Sequence, residues 1–116
     1  MTLPIASVPN GTVTSAKGFS AGGVFAGIKT PGPGKLDLGI IYSEQPCAVA
    51  GTFSQNTIIS STVVLDKERV GTDKSIHAVV VNSGCANTAV GDQGMTDAKE
   101  MTKLAAEHFG VSEEQT

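Results

Sequence analysis

The sequence predicts an α/β domain in which helices pack on a mixed or antiparallel sheet. Two observations predict it: apolar residues alternate with period two or run continuously in some segments, and recur every three to four residues in another. The composition agrees, because 40% hydrophobic and 16% charged residues in a chain of 116 are typical of one globular domain. The 14 glycines and few aromatic residues favour a core of small and β-branched side chains.

The first predicted strand follows an irregular N-terminal arm. Residues 1–17 contain proline and glycine among small polar residues and predict no regular element. In the segment that follows, Val24, Ala26 and Ile28 fall on one face of a strand. The proline and glycine residues of segment 30–34 then predict a turn or an exposed loop.

The next segment predicts a second strand, because apolar residues alternate with other residues from Leu36 to Tyr42. Pro46 is expected to end it. A third strand from Cys47 to Phe53 would pair antiparallel with the second through a turn around residues 44–46. Residues 57–65 are rich in β-branched side chains, whereas residues 65–70 fit the start of a helix, so both assignments stay open here.

Farther along the chain, the continuous apolar run His77–Val81 predicts a strand that is covered on both faces. From Thr96 to Phe109 the apolar positions recur at helical spacing, which predicts an amphipathic helix. Thr96 is expected to cap its start, and Gly110 to end it in the left-handed conformation. Residues 112–115 have the form of a capping box, which opens a new helical turn and suggests that the natural sequence continues.

The segment of residues 82–88 places amides, hydroxyls and a glycine directly after a buried strand, where clefts often open. We take Asn82, Ser83, Gly84 and Asn87 as candidates for lining a pocket. The alternative is that these side chains bond the local backbone and hold a tight turn.

Other reactive side chains have simpler interpretations. Cys85 and Cys47 lack a neighbouring base or a CxxC spacing, so both are expected to be reduced packing residues. Asp37 is expected to face solvent or to bond a neighbouring turn. The segment Gly18–Gly27 lacks the residue order of a phosphate-binding loop, so no nucleotide site is expected.

No metal site or cofactor is expected. The acidic residues around the predicted helix start are expected to interact with the positive end of the helix dipole and not with a cation. These residues are Asp92, Asp97 and Glu100.

Composition also limits the partners. A net charge of −3 without a cluster of Lys or Arg disfavours nucleic acid. No apolar run reaches the roughly 20 residues of a membrane span, and the start lacks the features of a signal peptide, so a cytoplasmic protein without a membrane partner is expected.

Several short motifs, in the same order and spacing, resemble the ornithine acetyltransferase (ArgJ) family. The resemblance covers residues 18–110 and well under half of a family precursor, and its most specific part is the stretch Val-Asn-Ser-Gly-x-Ala-Asn. The matching motifs are Gly18-Phe19, Gly27-Ile28-Lys29, Asp37-Leu38, Ala50-Gly51-Thr52-Phe53 with Asn56, Val80 to Asn87, and Gly94 with Asp97-Ala98.

The resemblance implies the N-terminal part of a layered α-β-β-α sandwich. It also implies an arginine-biosynthesis enzyme that moves acetyl from N-acetylornithine to glutamate, with acetyl-CoA as a further donor in some members. The family precursor cuts itself before a Thr that becomes the nucleophile of the second chain, so the whole enzyme is a hetero-oligomer of alpha and beta chains. Its oxyanion hole comes from the Thr-Gly pair of a Ser-Thr-Gly-x-Ile-Gly motif.

This sequence contains neither the nucleophile nor the oxyanion hole, since no glycine follows Thr116. A further departure is Cys85, where relatives commonly have Asn. We therefore expect residues 18–116 to be the N-terminal portion of an ArgJ-like domain, truncated at the C-terminus, inactive alone and partnered by the rest of its precursor. The alternatives are a standalone, non-catalytic binding or scaffold domain of the same fold and another self-processing hydrolase such as an aminopeptidase, against which the Asn-Ser-Gly stretch argues.

Overall fold

A computed structural model describes residues 5–28, 32, 34–71 and 75–116. The strands form one antiparallel sheet in the order β1-β2-β3, α2 packs against it and α1 packs on α2, which confirms the predicted fold class. The elements are β1 (Phe19–Val24), β2 (Leu38–Cys47), α1 (Ser61–Val70), β3 (Ile76–Asn82), α2 (Gly91–Phe109) and a 3-10 turn (Glu113–Gln115). Residues 5–17 are exposed and contain only turns and irregular backbone.

The prediction that Ala26 and Ile28 belong to the first strand was wrong, because β1 ends at Val24. The backbone N–H groups of Ala26 and Ile28 donate to the Asp37 carboxylate, at 2.5 and 2.7 Å, instead of to a neighbouring strand. Gly27 lies between them with a φ of 74°, which bends the chain. Asp37 therefore bonds a neighbouring turn, which confirms the second of the two alternatives predicted for it. Most of the predicted turn over 30–34 lies outside the described residues.

The prediction of a hairpin around residues 44–46 was also wrong. β2 continues through Pro46 to Cys47, and residues 48–56 form no strand. Its pairing with β3 is irregular between Tyr42 and Cys47, where the Ser43 hydroxyl donates to the Gln45 carbonyl at 2.7 Å. Pro46 is tolerated there because an irregular segment does not need its missing N–H.

The ambiguous segment after residue 57 contains a helix. Ser60 is the N-cap of α1, and its hydroxyl accepts a hydrogen bond from the N–H of Val63 at 3.3 Å. Leu65 is buried, while the opposite side of the helix is exposed. A capped start and one buried apolar residue thus outweigh the strand preference of the β-branched residues.

One face of the sheet packs against α2, and the other is open among the residues that the structure describes. On the helical side, Ala78 is buried and Tyr42 stacks on Phe109 with ring centroids 4.2 Å apart. On the other side, Val79 and Val81 are 48% and 51% exposed. The expectation that this strand is covered on both faces was therefore wrong for the described residues.

The second helix begins earlier than predicted. α2 starts at Gly91, and Thr96 lies inside it, where its hydroxyl donates to the Asp92 carbonyl at 3.3 Å. Gly94 is buried and faces Ser61, so the absence of a side chain lets the starts of the two helices approach closely. Gly110 ends α2 in the left-handed conformation, as predicted.

The predicted capping box is present at residues 112–115. The Gln115 side chain accepts from the N–H of Ser112 at 3.1 Å, and the 3-10 turn follows. This turn packs on α2 and β3. It brings the last residue, Thr116, back beside the sheet.

Candidate functional site

The loop after β3 is held together by its own amide side chains. The Asn87 side-chain amide donates to the Asn82 side-chain oxygen at 2.8 Å, and the Asn82 amide contacts the Cys85 carbonyl at 3.4 Å. Asn82 is the last residue of the strand, so the two amides close the loop at its base. Hydrogen bonds of this local kind hold a tight turn, which is the alternative interpretation of these side chains.

The loop is also tied to the start of β2. The N–H of Ser83 donates to the Asp37 carbonyl at 2.8 Å. The Asp37 carboxylate is buried, and the N–H of Ala26 is the largest cause that holds its pKa below the ordinary value, although burial opposes it. Asn87 and Gly84 have positive φ angles of 52° and 91°, which asparagine and glycine adopt most readily.

Beside this loop lies a cavity of about 490 Å³. Its lining comes from the segment 49–53, from β3, from residues 85–87 of the loop, from one side of each helix and from Thr116. Of the four candidate pocket residues, Asn82 and Asn87 line this cavity, while Ser83 and Gly84 are exposed and outside its lining. The structure thus brings two of the four together on one wall; whether any of the four contacts a substrate stays a prediction.

The charged groups at the cavity come from α1. The Arg69 guanidinium donates to the Thr102 hydroxyl at 3.1 Å and to the Thr116 carbonyl at 2.5 Å. Burial lowers the pKa of Arg69, and the neighbouring Asp66 carboxylate opposes that shift. Burial likewise raises the pKa of Asp66, with Arg69 acting against it. Arg69 therefore joins both helices to the end of the chain.

Sequence reasoning did not single out Arg69. Thr102 and Thr116, which both accept from its guanidinium, lie 33 and 47 residues away along the chain, and no motif links them to it. Only the topology brings these residues together.

The site has no pair of nucleophile and base among the described residues. Cys85 is exposed and free, and the nitrogen of His77 contacts the Ser43 carbonyl at 3.0 Å. His108 packs edge-on against Phe109. A search of the described residues finds no cluster of side chains that could hold a metal ion, and no helix there is long and apolar enough to span a membrane.

Comparison with known proteins gives a consistent result. A sequence profile of the ArgJ family matches residues 20–116. The chain is 45% identical over 105 residues to an arginine biosynthesis bifunctional protein ArgJ from Dehalococcoides mccartyi, and 48% identical over 99 residues to that of Geobacter sulfurreducens. These matches cover 90% and 85% of this chain, and 25% and 24% of the relatives.

Two solved structures share the fold. The ArgJ protein of Bacillus halodurans superimposes with a TM-score of 0.86 at 35% identity, over 93% of this chain and 55% of that one. The ornithine acetyltransferase of Mycobacterium tuberculosis, crystallised with ornithine, superimposes with a TM-score of 0.78 at 33% identity, over 89% of this chain and 55% of that one. The chain thus spans about a quarter of the curated relatives and about half of the chains in the crystals.

Proposed function

Because the chain belongs to the ArgJ family, we propose that it forms the N-terminal segment of an arginine-biosynthesis enzyme that transfers acetyl from N-acetylornithine to glutamate. The observation that carries this proposal is 45% identity over 105 residues to a relative named as the bifunctional ArgJ protein. The complex of the M. tuberculosis relative with ornithine supports ornithine and its acetyl derivative as the substrate class. We further propose that the enzyme is cytoplasmic and that, as in some members of the family, it also takes acetyl from acetyl-CoA.

The chemistry of this transfer requires groups that lie outside this chain. A Thr hydroxyl attacks the acetyl carbonyl of N-acetylornithine, and the ornithine amine leaves with a proton. The amine of glutamate then attacks the resulting acetyl ester, which releases N-acetylglutamate and restores the hydroxyl. An oxyanion hole stabilises the negative oxygen in both steps.

The coverage figures support processing into two chains. This chain covers 25% of a curated relative but 55% of the chain in the B. halodurans crystal. A single chain in that crystal is therefore about half as long as a whole curated sequence. Self-cleavage of a precursor into an alpha and a beta chain, which assemble as a hetero-oligomer, accounts for this difference.

In this proposal the chain contributes structure rather than reacting groups. The sheet and helices hold the loop of residues 82–87, which forms one wall of the pocket in the whole enzyme. Asn82 and Asn87 fix the shape of that wall through their mutual hydrogen bond. Ser83 and Gly84 are placed at the outer turn of the loop.

The direct test of this proposal is the coding sequence beyond the codon for Thr116 in the source genome. We expect it to continue into a Ser-Thr-Gly-x-Ile-Gly motif and, later, into a small residue followed by the nucleophilic Thr. A stop codon directly after Thr116 would overturn the enzyme proposal and favour the standalone binding or scaffold domain.

A further inference from the structure

Three strand ends lie side by side where the candidate loop leaves the sheet. Val24, the last residue of β1, is opposite Leu38, the first residue of β2, and Leu38 is also opposite Asn82, the last residue of β3. The turn after β1 and the loop after β3 therefore leave the sheet at the same end. Asp37, which directly precedes Leu38, lies between them.

Asp37 forms hydrogen bonds to both segments. Its N–H donates to the Val24 carbonyl at 3.0 Å, and its carbonyl accepts from the N–H of Ser83 at 2.8 Å. Its carboxylate accepts from the N–H groups of Ala26 and Ile28. Hydrogen bonds to a charged acceptor are stronger than those between neutral groups, so the turn after β1 holds the Asp37 residue firmly in position.

The candidate loop depends on Asp37 for its position relative to the sheet. The hydrogen bond between Asn82 and Asn87 fixes the internal shape of the loop, but it does not join the loop to the neighbouring strand. The bond from Ser83 to Asp37 makes that connection. Because Asn82 lines the cavity and directly precedes Ser83, a displacement of Asp37 reaches the cavity lining within one residue.

We propose that Asp37 is a positioning residue for acetyl transfer, which holds the loop of residues 82–87 where that loop binds the substrate. This inference rests on the proposed function, in which the loop forms one wall of the pocket. A displaced wall binds the substrate and the transition state less tightly to the same degree, which raises KM and leaves kcat nearly unchanged. A role in folding alone would lower the fraction of active enzyme, and so the apparent kcat but not KM.

The test measures steady-state acetyl transfer by the product of the full coding sequence, with N-acetylornithine varied at saturating glutamate. The amide of Asp37→Asn cannot accept from both N–H groups, so we expect KM for N-acetylornithine to rise about fivefold and kcat to change less than about twofold. Glu44→Gln, which removes an exposed carboxylate of β2, is the control and should keep both constants. An unchanged KM in Asp37→Asn overturns this role of Asp37, whereas a wild-type enzyme without acetyl transfer overturns the proposed function on which it rests.

A second pair of variants loosens the turn without changing Asp37. Gly27, between the two bonded N–H groups, has a φ of 74°, and Gly18, at the other end of β1, has a φ of 86°. An alanine at either position meets the same kind of backbone strain. Gly27→Ala should raise KM, and Gly18→Ala should keep the wild-type KM. Equal KM values in these two variants overturn the proposal, and this comparison decides it even where Asp37→Asn does not fold.

Discussion

At the scale of single residues, Asp37 connects three parts of the chain. Its carboxylate accepts from the backbone after β1, and its carbonyl accepts from Ser83 in the candidate loop. The hydrogen bond from Ala26 is the main reason why its pKa is lowered. A carboxyl group with a lowered folded-state pKa stabilises the fold above its unfolded pKa of about 3.9, and this contribution is lost as the pH falls through the folded value.

We therefore predict that Asp37→Asn lowers the free energy of unfolding at pH 7 and loses less stability than the wild type on acidification below pH about 4. The amide cannot accept from both N–H groups, and it has no charge to titrate. Urea unfolding at pH 7 and at pH about 3 measures both effects. Glu100→Gln, at an exposed position in α2, is the control and should keep the wild-type acid response. An acid response of Asp37→Asn equal to that of the wild type would contradict this account.

The contact between the helix starts gives a second prediction at this scale. A methyl group at Gly94 would overlap Val90 Cγ2 and lie 2.9 Å from Ser61 Oγ. Gly94→Ala should therefore cost about 1–3 kcal/mol of unfolding free energy, as overpacking typically does. Thermal or urea unfolding checks it, with Gly22→Ala as the control, because nothing lies within 4 Å of that position. Adding Val90→Ala to Gly94→Ala should restore part of the lost stability. Equal stability of the wild type and Gly94→Ala would refute the contact.

At the scale of secondary-structure elements, the end of α2 depends on one backbone conformation. Gly110 has a φ of 67°, and its N–H donates to the Glu107 carbonyl. Replacement by Ala should cost about 1 kcal/mol, because residues with a β-carbon disfavour the left-handed region. Gly110→Asn should cost less, since Asn tolerates this region better. Urea unfolding of the two variants tests this order of stability. Equal losses of unfolding free energy would show that the left-handed conformation of residue 110 does not limit stability.

The elements with strong local signals could be predicted from the sequence. The helical period of residues 96–109, the glycine that ends it and the apolar run of β3 are properties of neighbouring residues. The loop with Asn82 and Asn87 was found for the same reason. Its amides and glycine lie directly after that run.

The failures have tertiary causes. β1 ends early because Asp37, eleven residues from Ala26 along the chain, takes up the N–H groups that a strand would use. The hairpin at Pro46 does not form because β2 continues past an irregular pairing with β3. Arg69 could not be found for a similar reason, since Thr102 and Thr116, to which it donates, are distant in sequence and come near it only through the packing of α1, α2 and the 3-10 turn.

At the scale of the whole molecule, one sheet face and the outer edge of β3 are open in the part of the chain that the structure describes. Val79 and Val81 are about half exposed on the open face, and the cavity beside β3 is largely apolar. Exposed apolar surface of this kind marks an interface with another part of a protein. The 116-residue chain is therefore expected to bind a hydrophobic dye and to aggregate more readily than the longer enzyme.

The pair of substitutions Val79→Thr and Val81→Thr should reduce dye fluorescence while changing stability by less than about 1 kcal/mol, because Thr keeps the β-branched shape. Fluorescence titration and urea unfolding of the same samples measure both quantities. The matched control is Val8→Thr, at an exposed position outside the sheet, which should leave dye binding unchanged. Dye binding that is equal in the wild type and the double variant would show that this face is not the exposed apolar surface.

The assignment to an acetyltransferase whose reacting groups lie outside this chain is tested most directly by an activity assay. The purified 116-residue chain and the product of the full coding sequence are each incubated with N-acetylornithine and glutamate, and N-acetylglutamate is measured. We predict formation of N-acetylglutamate by the full product and none by the 116-residue chain. Formation of N-acetylglutamate by the 116-residue chain alone would contradict the account. So would a folded full-length product that forms none.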